Sequence, residues 1–354
     1  MPKSKTVIVA PIYWGLGHAT RCIPIIDALL AENFKVLLAS DGEALLLLKK
    51  EFPNLESVEL PSYNILYPEK GHHFKWKMIR NLPSIRKVIK AEHKIINQLI
   101  TDRKIDGIIS DGRLGVRSSK VPSVFITHQL QVQTGITTFF SSKLHQYFIK
   151  KFDVCWVPDY LSPVINLSGK LGHIQKSSFP IEYIGPLSRL KKKDLPKTID
   201  ILALLSGPEP QRTLLEEILI PELKKSDEKI VLVRGKMEKE QQWQEQGNIK
   251  VVNFVLSDEL ENLMNQSELI ICRSGYSTIM DLATLGKKAF LIPTPGQYEQ
   301  GYLAGKMEWS GMAPACSQTK FQLKRLSRIN VFKGFDLLPG NPAKLTDLFE
   351  IFQG

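Results

Sequence analysis

Cys272-Arg273-Ser274-Gly275-Tyr276-Ser277-Thr278-Ile279-Met280-Asp281 is the stretch on which the reading of this chain turns. The apolar run before it, Leu269-Ile270-Ile271-Cys272, predicts a buried strand. The run breaks at Arg273-Ser274-Gly275, and Ser277 or Thr278 can cap the helix that follows. A second apolar strand, Ala289 to Ile292, ends at the turn-rich Pro293-Thr294-Pro295-Gly296. A strand–loop–helix–strand unit of this kind aims a helix N-terminus at the carboxyl edge of a parallel sheet. Free backbone N–H groups and the helix dipole make such an edge attractive to anions. Asp281, one to two turns into the helix, could accept hydrogen bonds from a ribose diol. Taken alone, the same residues are also compatible with a plain turn and a solvated aspartate.

The rest of the chain repeats the pattern. Val7–Ile12 reads as a strand and about His18 to Glu32 as a helix, followed by strand Lys35–Ala39 and helix Glu43–Glu51. A long helix near Leu82–Thr101 leads to strand Asp106–Ser110, then strand Ser123–Thr127, a helix near 137–150 and strand Asp153–Val157. Alternation restarts after the basic, proline-flanked stretch Pro186–Lys197, with strands Ile199–Leu205, Ile230–Arg234 and Ile249–Val255 and a helix over Gln211–Lys225. Strand–helix alternation means parallel sheets covered on both faces, with ligands at the carboxyl ends of the strands. At 354 residues the chain suits two domains, each able to bury its own core. The expected boundaries are 1–185, a linker at 186–198, 199–340, and a last helix over 341–354 that returns to the first domain.

Composition narrows the class. Hydrophobic residues at 43% and charged residues at 23% are ordinary for a globular protein. Four scattered cysteines without a Cys-x-x-Cys pair argue against a disulfide framework or zinc site and fit a reducing cytosol. No apolar run approaches the ~18 residues that span a bilayer, and the apolar start ends too soon, at Gly15-Leu16-Gly17-His18, for a signal peptide. A net charge of +11 calls for an anionic partner. Between Lys75 and Lys94 there are seven Lys/Arg against the single acid Glu92, beside Phe74, Trp76, Met78 and Ile79. Such mixing over residues 74–90 suits an anionic membrane surface; a solvated basic helix accounts for it equally. It also suits single-stranded nucleic acid, but no nucleic-acid-binding module accompanies it and none is expected as partner.

Gly15-Leu16-Gly17-His18-Ala19-Thr20-Arg21 after the first strand lacks the third glycine of a dinucleotide fingerprint, because Thr20 stands there. Gly15 and Gly17 let backbone approach a ligand and place His18 at a helix start, where the dipole favours the neutral imidazole that a general base needs. Arg21, one turn on, could reach a phosphate or a carboxylate. Asp111 ends a strand on the same sheet edge, and a carboxylate there would stabilise an imidazolium at His18; a loop carboxylate satisfied by backbone is the alternative. His128, ending the next strand, is a candidate acceptor contact. Asp-x-Asp is absent and no His/Cys cluster has metal spacing, so neither a metal nor a cofactor is expected.

Cys272 to Gly275, Asp281, Pro293 and Gln300, with the N-terminal Gly-x-Gly-His, resemble the GT-B glycosyltransferases. The likeness is greatest to the peptidoglycan enzymes that add N-acetylglucosamine to a lipid-linked acceptor. It is specific over 7–21 and 253–304. The resemblance implies two Rossmann-like, doubly wound parallel-sheet α/β domains facing a cleft. It implies a metal-independent, inverting transfer of a hexose or N-acetylhexosamine from a UDP-sugar to a hydroxyl acceptor, lipid-linked in the nearest family. Asp281 would then hold ribose, Gln300 the donor sugar, and backbone at Val255 the uracil. Ser206, Gly207, Arg273, Ser274 and Gly275 would face the diphosphate or sugar, and His18 with Asp111 would activate the acceptor. The family's second glutamine is replaced by Gly301, and Asp281 is shorter than the family's Glu, so the transferred sugar is left open. A protein of this kind would be cytoplasmic and peripheral on the membrane's inner face, in cell-envelope synthesis. A UDP-sugar hydrolase of the same architecture, which also carries Gly-x-Gly-His-x-x-Arg, and a non-catalytic sugar-nucleotide or nucleic-acid binder are the competing readings.

Overall fold

The computed structural model of the protein describes residues 4–63, 74–132, 138–336 and 344–353, with side chains of the second stretch described from residue 83 onward. Of the basic–aromatic stretch 74–90, expected to meet a membrane, residues 74–82 therefore lie outside the described side chains. The described residues form two compact units, one of 4–63, 75–187 and 344–353, the other of 188–336.

Unit 1 is built on a seven-stranded parallel sheet in the order β3-β2-β1-β4-β5-β6-β7. Its strands are β1 (Thr6–Pro11), β2 (Lys35–Ser40), β3 (Ser57–Glu59), β4 (Gly107–Asp111), β5 (Ser123–Ile126), β6 (Val154–Val157) and β7 (Ile181–Tyr183). The crossovers are α1 (Gly17–Ala31), α2 (Gly42–Glu51), α3 (Phe74–Arg103) and α4 (Thr138–Ile149). The central strands are apolar throughout because helices cover both faces; Val7, Ile8, Val9, Ile108, Ile109 and Val124 are fully buried. Strand order reverses between β1 and β4, whose registers run from Val7 beside Gly107 to Pro11 beside Asp111. The crevice at such a switch point lies outside the carboxyl ends of the two strands. Into it run the loop after β1 and the end of β4.

Unit 2 has a six-stranded sheet in the order β10-β11-β9-β8-β12-β13. Its strands are β8 (Ile199–Leu204), β9 (Ile230–Val233), β10 (Trp243–Gln246), β11 (Ile249–Val252), β12 (Ser267–Cys272) and β13 (Lys288–Leu291). All pairings are parallel except the edge hairpin β10–β11. The helices are α5 (Gln211–Leu223), α6 (Ser257–Gln266), α7 (Tyr276–Leu285) and α8 (Tyr298–Trp309). Here order reverses between β8 and β12.

The structure departs from the expectations or adds detail to them in four places. Helix α7 is not capped by Ser277 or Thr278: it starts at Tyr276, and its N-cap, Gly275, makes no side-chain cap. The stretch expected as a linker is tied to unit 2 from Lys191 to Lys193, with the Lys191 N–H donating to Glu261 Oε2 (2.6 Å) and the Lys193 N–H to Asn265 Oδ1 (2.9 Å). The last segment, expected as a helix, is a 3-10 helix, Leu345–Phe352. It belongs to unit 1, where Phe352 fills the space left by Gly107, at which a Cβ would come 2.3 Å from the phenyl ring. Finally, the short edge strands β3, β7 and β10 were not expected. Three or four residues carry too little periodicity to announce themselves.

Candidate active site

In unit 1 the switch-point crevice brings His18, Arg21, Asp111 and His128 together. His18 and Arg21 lie one turn apart on α1, and Asp111 arrives from β4, 93 residues after His18. His18 Nδ1 lies 2.8 Å from Asp111 Oδ1 and 2.9 Å from Arg21 Nη2. The carboxylate is the stronger acceptor for both neighbours, so Nδ1–H points to Asp111 and Nε2 keeps its lone pair. Nε2 makes no hydrogen bond among the described residues, and the His18 side chain keeps 22% of its surface exposed. Asp111 has none exposed.

Arg21 fixes this arrangement. Its Nε donates to Asp111 Oδ2 at 2.5 Å, Nη2 donates to Oδ1, and Nη1 lies 3.0 Å from His128 Nδ1. The Cys22 thiol, 3.7 Å from Oδ2, is held protonated by burial, with the Asp111 charge adding to the effect. Burial opposes a charge on Asp111, but the guanidinium, the imidazole and their hydrogen bonds outweigh it and hold the carboxyl well below the usual range. His18 is pushed below 6.5, chiefly by burial and secondarily by Arg21, against the upward pull of Asp111. It is therefore neutral at neutral pH, as a base must be. Gly112, with φ +80°, completes the turn: a Cβ there would come 2.7 Å from Ile12 Cγ2 and 3.3 Å from His18 Cε1.

Two expectations for this cluster are narrowed. Of the two partners expected for Arg21, a phosphate or a carboxylate, the structure shows the carboxylate: Arg21 is 2% exposed and its fork meets Asp111 and His128, an internal clamp. His128, 6% exposed, stands behind Arg21 in place of lining an acceptor surface. The Gly15 turn, in contrast, is open, with no atom within 4 Å of where a Cβ would stand, and Gly17 begins α1.

In unit 2 the crevice holds the loops after β8, β12 and β13. Ser206 is exposed and makes no hydrogen bond among the described residues, and Gly207 turns the chain at φ +98°. Gly275, above the uncapped start of α7, likewise has no atom within 4 Å of a Cβ position. A helix N-terminus placed at the carboxyl edge of a parallel sheet is the arrangement that attracts phosphate oxygens. Asp281 lies on this helix; its Oδ1 accepts from Ser188 Oγ at 2.6 Å and its Oδ2 accepts no bond among the described residues. Burial raises the Asp281 carboxyl to about 6, against the smaller opposing effects of the Ser188 bond and Arg189.

Arg273 does not face this crevice. It is fully buried and donates to the carbonyls of Gln211 (2.7 Å) and Ile292 (3.2 Å) and to Gln318 Oε1 (2.7 Å), tying α5, β13 and the segment after it to the turn. Burial lowers it to about 10, so it is still a cation at neutral pH, neutralised by oxygen dipoles and not by a ligand. Ser274 is also internal, its hydroxyl donating to the Gln300 carbonyl at 2.8 Å. Gln300 is 8% exposed and its Oε1 accepts from the Thr294 N–H at 2.8 Å, which leaves its amide NH2 as the part able to meet a sugar. Val255 is buried, so only its backbone can serve a base. Sequence reading passed over Thr294: its hydroxyl is buried without a partner and lies 3.7 Å from where a Cβ on Gly207 would stand. Its place after β13, opposite a glycine turn, was the available signal. Among the described residues no group of three or more His, Cys, Asp or Glu is arranged to hold a metal ion.

The fold and these two crevices define a GT-B protein, and the sequence comparisons carry the class further. Residues 208–329 match the glycosyltransferase family 28 C-terminal domain. An uncharacterized glycosyltransferase of Methanosarcina acetivorans is 23% identical over 84% of this chain and 82% of its own. The UDP-N-acetylglucosamine–N-acetylmuramyl-(pentapeptide) pyrophosphoryl-undecaprenol N-acetylglucosamine transferase of Buchnera aphidicola is 24% identical over 78% of this chain and 77% of its own. Among solved structures, the Acinetobacter baumannii MurG superimposes with a TM-score of 0.57 at 17% identity, covering 99% of both chains. The calicheamicin glycosyltransferase CalG4 gives 0.64 at 12% identity, over 99% of this chain and 98% of its own. The protein is a GT-B glycosyltransferase that resembles MurG.

Proposed function

We propose that the protein transfers a hexose or N-acetylhexosamine from a UDP-sugar to a hydroxyl acceptor, with inversion and without a metal. The observation that carries this reading is the His18–Asp111 pair, whose Nε2 is accessible and unbonded while Nδ1 is committed to a buried carboxylate. Nε2 takes the proton of the acceptor hydroxyl as its oxygen attacks the anomeric carbon. The bond from that carbon to the diphosphate oxygen breaks, the pair leaves with UDP, and attack from the opposite side inverts the centre. Asp111 balances the imidazolium as it forms. Unit 2 binds the donor: Asp281 accepts from ribose, and the N–H groups above Gly275 and around Ser206-Gly207 take up the charge on the diphosphate. A lipid-linked acceptor is the reading favoured by the likeness to the Buchnera enzyme, whose name specifies one.

The test is a thermal-shift screen of nucleotides followed by turnover of UDP-sugars with and without acceptors. UDP should stabilise the protein by an amount that rises with the logarithm of its concentration relative to Kd. His18→Ala should keep UDP affinity while turnover falls by about 10²–10⁴, and EDTA should change nothing. Stabilisation by NAD or adenine nucleotides in place of uridine nucleotides would refute the donor assignment. Free sugar released from UDP-sugar alone at enzymatic rates would make the protein a hydrolase.

A further inference from the structure

A second buried cation, Arg113, stands just beyond Asp111, and the chemistry at His18 makes no use of it. Its Nε donates to the Pro11 carbonyl (2.9 Å), its Nη1 to Glu92 Oε1 (2.7 Å) and its Nη2 to Asp41 Oδ1. Two buried carboxylates thus share one guanidinium, and Asp41 Oδ2 accepts no bond among the described residues. Asp41 is also the N-cap of α2, yet its side chain does not turn back to cap that helix. It lines instead a cavity of about 620 Å³ at the carboxyl ends of β1, β2 and β3, with Tyr13, Glu59, Leu60, Ser62 and Ile95. The exposed Glu59 carboxylate makes no hydrogen bond or ion pair among the described residues. The Tyr13 ring lies beside Asp41, against Gly42, where a Cβ would come 2.5 Å from Tyr13 Cδ1. No lysine, arginine or histidine among the described residues lines the cavity.

We propose that this cavity binds a primary ammonium group carried by the acceptor, an amine-bearing saccharide; that the carrier is the acceptor rests on the transfer proposed above. An ammonium brings three N–H donors and a full charge. Asp41 Oδ2 takes one donor, Glu59 adds a second negative charge, and the Tyr13 ring offers a cation–π face. The incoming charge also gives two carboxylates that share Arg113 a second cation, which a neutral hydroxyl does not. A phosphate or diphosphate meets like charge here. The cavity lies close to the base: the Ser40 hydroxyl donates to the Pro11 carbonyl (2.8 Å) and the Ile12 N–H to the Asp111 carbonyl (2.8 Å), so β1 ends between β2 and β4. Neighbouring strands are about 4.8 Å apart, which sets the strand ends that carry Asp41 and Asp111 about 10 Å apart. A disaccharide covers that span, with its amine in the cavity and a hydroxyl at His18 Nε2.

The test uses the full chain and two probes of one skeleton, the glucosamine disaccharide and its N-acetylated form, at a pH where the free amine is charged. Calorimetry with these probes needs no donor, so its result is read apart from the UDP assays. The amine probe should bind at least about tenfold more tightly than the acetylated one, and less tightly as salt is raised. Asp41→Asn should weaken it on the order of tenfold or more, and Glu59→Gln by about two- to fivefold. Glu59 is exposed, so its variant keeps the wild-type melting temperature and decides the question where Asp41→Asn does not fold. Equal affinity for the two probes would overturn the proposal, as would variants that bind like wild type, or pyrophosphate bound more tightly than the amine. A protein that binds UDP and ignores the amine probe would sink the proposal and leave the donor reading standing. Amine binding by a protein that ignores UDP would keep the ammonium site and overturn its place in the transfer.

Discussion

Replacing Asp111 by Asn tests whether the carboxylate both builds the crevice and drives the chemistry. The Arg21 fork covers both oxygens of Asp111, which has no exposed surface. Whichever way the new amide is turned, its NH2 therefore meets an Arg21 N–H, and a 2%-exposed guanidinium loses its counter-charge. Breaking a buried pair from one side costs about 3–5 kcal/mol. For catalysis, unit charges 2.8 Å apart, the His18–Asp111 separation, interact by about 6 kcal/mol at an effective dielectric of about 20. Arg21 shares the carboxylate and the proton is only part-transferred in the transition state, so part of that is available. A fall in kcat of about 10³–10⁴, or 4–5.5 kcal/mol, is expected. Turnover should be read as UDP release by the folded variant at 25 °C, stability by urea titration, and UDP affinity by calorimetry, which should not change. Adding Arg21→Met should recover much of the stability, because the stranded cation is gone, but none of the turnover. A folded Asp111→Asn protein within tenfold of wild-type turnover would refute the reasoning. There is a pH corollary: the folded pKa of Asp111 is depressed, so its stabilisation is complete above the ordinary 3.8 and is lost as pH falls toward the folded value. Asp111→Asn should flatten the acid limb there.

Asp281 behaves in the opposite sense. Its carboxyl is raised to about 6, so its hydrogen bonds from ribose are charge-assisted, and stronger, only above that pH, and UDP affinity should weaken as pH falls through 6. Asp281→Asn should remove this dependence and cost about 1–3 kcal/mol of binding at neutral pH; an unchanged pH profile in the variant would exclude Asp281 from the contact. Arg273→Leu should lower stability by roughly 1–3 kcal/mol by stranding buried carbonyls, and Arg273→Lys, where the variant folds, should bind UDP like wild type. A folded Arg273→Lys protein with lost UDP affinity would reinstate the phosphate role. Gly112→Ala puts a methyl against Ile12 and His18 at φ +80°; it should lower turnover with UDP affinity intact, and full activity would show that the His18 ring position is not critical.

Much of this was legible in the residues themselves. Apolar runs alternating with helical periodicity are local signals, so the strands, most crossovers and the parallel α/β class could be read directly. The Gly-x-Gly-His and Cys-Arg-Ser-Gly turns marked the two sheet edges for the same reason: each is a strand end followed by a helix start. His18 and Arg21 were even linked by their i, i+3 spacing. What the helix periodicity could not say is which side of a helix meets the core. Phe139, Phe140, Leu144 and Tyr147 have the spacing of a buried stripe, and only the packing of α4 shows them outside. Nor could spacing give the fate of a charge. Arg21 and Arg273 were both plausible ligand contacts, yet one is spent on a carboxylate brought beside it by the β1–β4 pairing and the other on carbonyls from 62 residues upstream and 19 downstream. A turn depends on neighbours in the chain and leaves its mark there. A buried ion's partners come from whichever strands the sheet sets side by side, and that choice is made by the whole fold.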